Sequence, residues 1–244
     1  MNTTTDFFLT LDVDWAPDYV IDYVAEILIA HKVKTTWFIT HESDAIHRLS
    51  KNSELFELGI HPNMLNGSTH GKTEDEVLKH IKAIVPDAVS MRTHGLYQSS
   101  NFLIKAAKEY GILYDVSLFL PKTPCLQPHY IKFDHSLLWR VPYFWEDDSE
   151  MFEDDPIWHI SDYTQMRGLK VFDFHPIHIA LNTEKFERYN ALKQIKALKS
   201  WDIEFIEEYA NKGIGTKNIF LDLVHELTGK GKQIKDIINF TEQI

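Results

Sequence analysis

The sequence predicts an α/β fold of βα units with a largely parallel sheet, either open or closed into a full or nearly full barrel of seven or eight units. Short apolar runs alternate with amphipathic helical segments, the pattern of βα units. The 244 residues suit one such domain. No repeat, low-complexity tract or linker divides the chain, and its 10 Gly and 9 Pro are dispersed. One domain over 1–244 is expected, mostly helical from about residue 183.

In order, Asp6 to Asp12 reads as a buried strand. Tyr19 to His31 reads as a helix, with Val20, Val24, Ile27 and Leu28 at helical spacing. Lys34 to Thr40 is β-branched and aromatic, a second strand, and Leu55 to Ile60 a third. Thr73 to Val85 is a helix opened by a capping box, Thr73 with Glu76. Ala88 to Met91 is a short strand; a helix from Ser99 or Ser100 to Tyr110 stops at Gly111. Ile112 to Leu120 returns to strand, 129–145 alternates strands and turns, and 150–168 is irregular. Lys170 to Phe174 is the last strand.

Composition narrows the function classes. Lys and Arg total 25 against 36 Asp and Glu, a formal charge of −11. So acidic a surface repels phosphate backbones and anionic headgroups, so neither nucleic acid nor a membrane surface is an expected partner. Residues Met1 to Asp6 carry neither a basic nor an apolar leader segment, and no apolar run reaches the roughly 18 residues of a membrane span. A cytoplasmic location is expected, and the oligomeric state is left open. The single cysteine, Cys125, stands beside 13 histidines. A transition metal would therefore be held through imidazole and carboxylate.

In such barrels chemistry sits at the C-terminal ends of strands. Asp12 and Asp14 end the first strand, spaced so that both can share a face. His61 follows the third strand, with Asn63 and His70 after it. Arg92 and His94 follow the fourth, and His175 and His178 follow the last. Each alone reads as structural; four strand ends carrying Asp, His or Arg together point to a site.

These residues resemble the polysaccharide deacetylase superfamily, also called NodB-homology or carbohydrate esterase family four. The similarity runs from about Asp6 to Asn182. It implies a distorted (β/α) barrel of about seven units with largely parallel strands that removes acetyl groups from N-acetylated sugars with a divalent metal, usually zinc. By that match Asp12 is the general base, Asp14 and His61 are metal ligands, and Arg92 orients the base. Trp145 corresponds to the tryptophan lining the acetyl pocket, and His175 to the general-acid histidine. The segments Leu58-Gly-Ile-His61-Pro-Asn63 and Phe174-His-Pro-Ile-His178 look most like a branch tied to bacterial surface-polysaccharide gene clusters.

The sequence departs from that pattern at named positions. Val13 separates the two aspartates, Leu65 stands where the family's second metal histidine lies, and Thr93-His94 replaces a Pro-Tyr pair. His70 is taken as the third ligand, with His94 or the Asn63 amide oxygen as the other candidates. Trp145, Trp15, His94 and His178 are expected to contact substrate, and His178 or Asp173 to orient His175. A carbohydrate or other small molecule is the expected substrate. A metal-dependent hydrolase of a non-sugar amide and a non-catalytic sugar-binding barrel remain the alternatives.

Overall fold

The computed structural model describes residues 5–237. Residues 1–4 of the segment considered for a leader, and 238–244 of the C-terminal part, lie outside them. The chain runs β1 (Thr5–Asp12), α1 (Asp18–Ala30), β2 (Thr35–Ile39), α2 (Asp44–Ser50) and β3 (Phe56–Ile60). Then come α3 (Glu74–Ile84), β4 (Ser90–Met91), α4 (Ser100–Tyr110) and β5 (Tyr114–Asp115). A hairpin, β6 (His129–Phe133) and β7 (Ser136–Arg140), leads to β8 (Trp145–Glu146) and the short helices α5 (Asp147–Glu150) and α6 (Ser161–Thr164). The chain continues with β9 (Gly168–Phe174), α7 (Pro176–Leu181), α8 (Phe186–Ile195), α9 (Ile203–Tyr209) and α10 (Thr216–Leu227).

Local chemistry sets the helix boundaries. Thr73 accepts from the Glu76 N–H while Glu76 reaches back, so the expected capping box opens α3. Gly111 ends α4 at φ 69°, a left-handed conformation that costs glycine little. α2, which no periodicity marked, starts where the Ser43 hydroxyl accepts from the Ile46 N–H.

The nine strands form one sheet, ordered β6-β7-β5-β4-β3-β2-β1-β9-β8, parallel except for the β6–β7 hairpin. The sheet curls. Arg92, just beyond β4, hydrogen-bonds residues of β1 and β9, three and four places along the strand order. Only a concave interior lets one side chain reach all three strands. The expected strand Ile112 to Leu120 is regular only at Tyr114–Asp115, because beyond it the backbone spends its groups on a different neighbour. Tyr143 N–H donates to Leu118 O (2.9 Å), Leu120 N–H to Tyr143 O (3.0 Å), and Phe144 N–H to Val171 O (2.8 Å). Those bonds bridge the seam between β5 and β9.

Strand alternation sorts side chains into two layers. Leu9 pairs in register with Phe172 and Leu11 with Phe174, and Phe174 packs on Phe220 of α10 (5.5 Å), so this face meets the helices. Thr10, Asp173 and Glu146 align on the opposite, interior face. At the N-terminal end of the barrel, Ile234 N–H donates to Thr36 Oγ1 (2.9 Å) and Lys235 N–H to Glu57 Oε2 (3.0 Å). Ile234 and Ile237 are fully buried there, so this turn closes the base. The open end is the other one.

Candidate active site

The four strand ends converge on the open mouth. β1 ends in Asp12 and then turns sharply, with Asp14 at φ 43° and Trp15 at φ 55°. Left-handed backbone at two successive non-glycine residues is a strain that surroundings must hold; Trp15 N–H donating to Thr40 Oγ1 (3.1 Å) is one such anchor. The turn swings Asp14 toward two histidines. Its Oδ1 lies 3.1 Å from His61 Nε2 and 3.1 Å from His94 Nδ1, and those two nitrogens lie 3.3 Å apart. A tetrahedral ion with bonds of about 2.0–2.1 Å sets its ligand atoms about 3.3 Å apart. The triangle therefore fits a divalent transition metal, and its donor set, one carboxylate and two imidazoles, leaves a coordination position open. Burial raises the Asp14 carboxyl, but hydrogen bonds from His61 and His94 and the charges of His61 and His175 outweigh it and hold it well below the usual range.

His70 does not join this group, contrary to its assignment as third ligand. Its Nδ1 accepts from the Asn63 N–H (3.1 Å), so its Nε2 must carry the proton, and Nε2 donates to Thr40 O (2.7 Å). A neutral imidazole has one lone pair, and Asn63 uses it. Burial also pushes His70 down, favouring that neutral form. The Asn63 amide oxygen accepts from the Leu65 N–H (2.9 Å) and is not one of the three ligand atoms of the triangle. His94 arrives instead because the loops after β3 and β4 pair through an isolated bridge, Asn63 with His94.

Beside the triangle, Asp12 Oδ1 accepts from Arg92 Nη1 (2.9 Å), and its Oδ2 lies 3.5 Å from His61 Nε2. Arg92 is 1% exposed, and four of its five N–H groups have partners. It also donates to Asp173, to Thr10 Oγ1 (2.9 Å) and to Val116 O (3.3 Å), and lies over the rings of Phe38 and Tyr143. Burial works against its charge, but Asp12 and Asp173 outweigh that and raise its pKa further. Asp173 is raised well above the carboxylate range by burial, opposed by Arg92 and reinforced by Asp12.

Opposite Asp12 stands His175, its Nε2 3.5 Å from Asp14 Oδ2. Asp147, fully buried, holds it twice: Oδ2 accepts the His175 backbone N–H (2.8 Å) and Oδ1 lies 2.7 Å from the ring Nδ1. Burial lowers His175, yet Asp148, Asp147 and Asp14 raise it well above the ordinary imidazole value. The expected orienting residues, His178 and Asp173, do not play that part. His178 presents its Nε2 to Asp148 (2.9 Å) and its Nδ1 to Thr183 Oγ1 (3.1 Å), so both nitrogens are engaged and neither holds His175. Asp147 and Asp148 lie in a run of acidic residues with no local signal to single them out.

Trp145 also corrects its expectation. It aligns with Phe172 on the helix-facing side, is 1% exposed, and donates its indole N–H to Glu150 Oε2 (2.9 Å). It is core rather than pocket wall. Its neighbour Glu146 takes the interior face, aligned with Asp173. Burial, opposed by His175 and reinforced by Asp148, Asp147 and Asp12, pushes the Glu146 carboxyl up to about 7. Trp15 does flank the mouth, its ring 5.4 Å from His94 and 5.6 Å from His70.

A curled parallel sheet with Asp, His and Arg gathered at one mouth defines the class, the deacetylase-type barrels. The sequence matches the profile of the WbmS-like polysaccharide deacetylases over residues 9–193, and the chain belongs to that family. Among solved structures it is similar to a polysaccharide deacetylase of Bordetella bronchiseptica described as involved in O-antigen biosynthesis. The two share 30% identity at a TM-score of 0.78, over 91% of this chain and 90% of that one. A 4-alpha-glucanotransferase from Thermococcus litoralis shares the fold at 14% identity and TM-score 0.50, over 72% of this chain and 33% of that one. A family 4 acetyl xylan esterase from Clostridium thermocellum, in complex with a cobalt ion, aligns at 11% identity and TM-score 0.48, over 97% of this chain and 91% of that one. No curated protein matches the sequence.

Proposed function

We propose that the chain is a divalent-metal-dependent deacetylase that hydrolyses the acetamide of an N-acetylated sugar in a surface polysaccharide or its precursor. One observation carries the reading: the Asp14–His61–His94 triangle lies between Asp12, held by Arg92, and His175, held by Asp147. The donor chemistry favours zinc, though the same set accepts other divalent ions. When bound, the metal lowers the pKa of water and polarises the amide carbonyl.

The remaining work falls to the chain's own side chains. Asp12 takes the proton of the attacking water, and Arg92 holds that carboxylate aimed. His175, kept protonated by Asp147 and Asp148, gives its proton to the departing nitrogen. Trp15 excludes water on the His94 side. The Bordetella relative's link to O-antigen biosynthesis supports a bacterial surface glycan as the substrate class. A non-catalytic sugar-binding barrel was suggested by Leu65 at the second histidine position, and His94 at 3.1 Å from Asp14 removes that motive.

The test is metal content beside amine release from N-acetylated sugars. Asp12→Asn should abolish release while keeping zinc, and Asp14→Ala should lose the zinc. Stoichiometric zinc in Asp14→Ala would reject the ligand assignment. A wild-type protein that takes up no divalent metal would reject the enzyme.

A further inference from the structure

Nearly every polar group at the mouth is committed to another. Arg92 is spent on Asp12, Asp173 and Thr10; Asp147 on His175; His178 on Asp148 and Thr183. Glu146 is less committed, and unlike the unpartnered Asp173 Oδ2 and His61 Nδ1, which are buried, it reaches solvent. It stands at the C-terminal end of β8 on the interior face and is partly exposed. Among the described residues its one hydrogen-bonding partner is the Tyr143 hydroxyl, at 3.3 Å, and no cation lies within ion-pair distance. Asp12, Asp147, Asp148 and His175 act on it electrostatically. A partly exposed carboxyl beside the reacting groups, with an oxygen left over, is a substrate contact in waiting.

We propose that Glu146 is the specificity-determining residue of the mouth: it hydrogen-bonds a hydroxyl or amide N–H of the sugar bearing the scissile acetamide. It thereby favours uncharged sugars over those carrying a carboxylate at that position. The proposal rests on the deacetylase reading and adds the substrate's charge class to it. The physics is like-charge exclusion. A sugar carboxylate placed against Glu146 meets Asp147 and Asp148 as well, while the nearest guanidinium is already shared between two aspartates. An uncharged sugar meets no such repulsion and fills the open hydrogen-bonding position of the carboxyl.

The experiment uses the zinc-loaded full chain and two probes, N-acetylglucosamine and its C6 carboxylate, N-acetylglucosaminuronic acid. Saturation-transfer NMR reads binding and amine release reads turnover. Wild type should bind the uncharged sugar about tenfold better, a difference typical of one lost hydrogen bond plus repulsion. Glu146→Gln, which preserves shape, should narrow that preference and raise KM with kcat within about threefold. Glu146→Lys should reverse the preference. An unchanged preference in both variants overturns the proposal, and so does wild-type protein that binds neither probe. Binding with the expected preference but no amine release would instead overturn the deacetylase reading and leave the Glu146 assignment standing.

Discussion

His94 and His70 flank the same tryptophan, and what separates them is the fate of one lone pair. In His70 it is used by the Asn63 N–H; in His94 the Nδ1 faces Asp14. His94→Ala should therefore drop zinc stoichiometry to near that of Asp14→Ala. His70→Ala should retain zinc but lose stability, because Thr40 O and the Asn63 N–H are left buried without their partner; zinc analysis and a melt on both variants check this. At the acid, Asp147→Asn should leave zinc content intact and lower the His175 pKa. A raised imidazole pKa keeps the acid form to higher pH, so losing Asp147 should move the alkaline limb of the pH–rate profile to lower pH, with kcat falling roughly 10- to 100-fold. A limb that stays put would remove Asp147 from the mechanism. Trp145→Phe should cost stability and spare kcat, the reverse of what a pocket wall predicts.

β9 shows how much of this was legible at the scale of elements. Its apolar run and the Asp-Phe-His end are readable because a strand places alternate residues on opposite faces; the same alternation pairs Asp12 with Asp14, but β1 stops at Asp12 and Asp14 reaches the site through the left-handed turn after it. The helices carried their own boundary signals, the Thr73–Glu76 box that starts α3 and the Gly111 that stops α4 among them. What escaped depends on contacts between elements. His94 reaches Asp14 through the pairing of two loops, and Trp145 faces outward because Phe144 already bonds Val171, shifting the face that each following residue takes. Neither register is written within ten residues of the position it decides. β9 itself begins at Gly168, at φ 101°, where an added Cβ would lie 2.7 Å from Cys125 Cα. Gly168→Ala therefore strains both backbone and neighbour, and a loss of about 2–3 kcal/mol by urea denaturation is expected. A midpoint like that of wild type would mean that the 125–126 segment yields freely.

For the molecule as a whole, the two ends of the barrel have opposite roles. The mouth keeps polar side chains in place and open, whereas the base is sealed by the turn around Ile234–Asp236, whose backbone N–H groups find Thr36 and Glu57 inside the barrel. Burial raises the Glu57 carboxyl, with the Lys235 N–H and Thr36 hydroxyl opposing, so the seal satisfies a group that would otherwise be buried at greater cost. The Ile234–Asp236 turn thus completes the base of the barrel. Because Ile234 is fully buried at the far end from Asp14 and His175, its loss should be felt globally and not in the chemistry. Ile234→Ala should remove about 3 kcal/mol through transfer and cavity terms. In a chain of this size that corresponds to a Tm lower by roughly 6–12 °C. Below the new midpoint, zinc stoichiometry and kcat should match wild type. A variant that melts normally would mean that the turn merely rests on the base, and one that lost zinc while still folded would mean that base and mouth are coupled through the β2 and β3 strands.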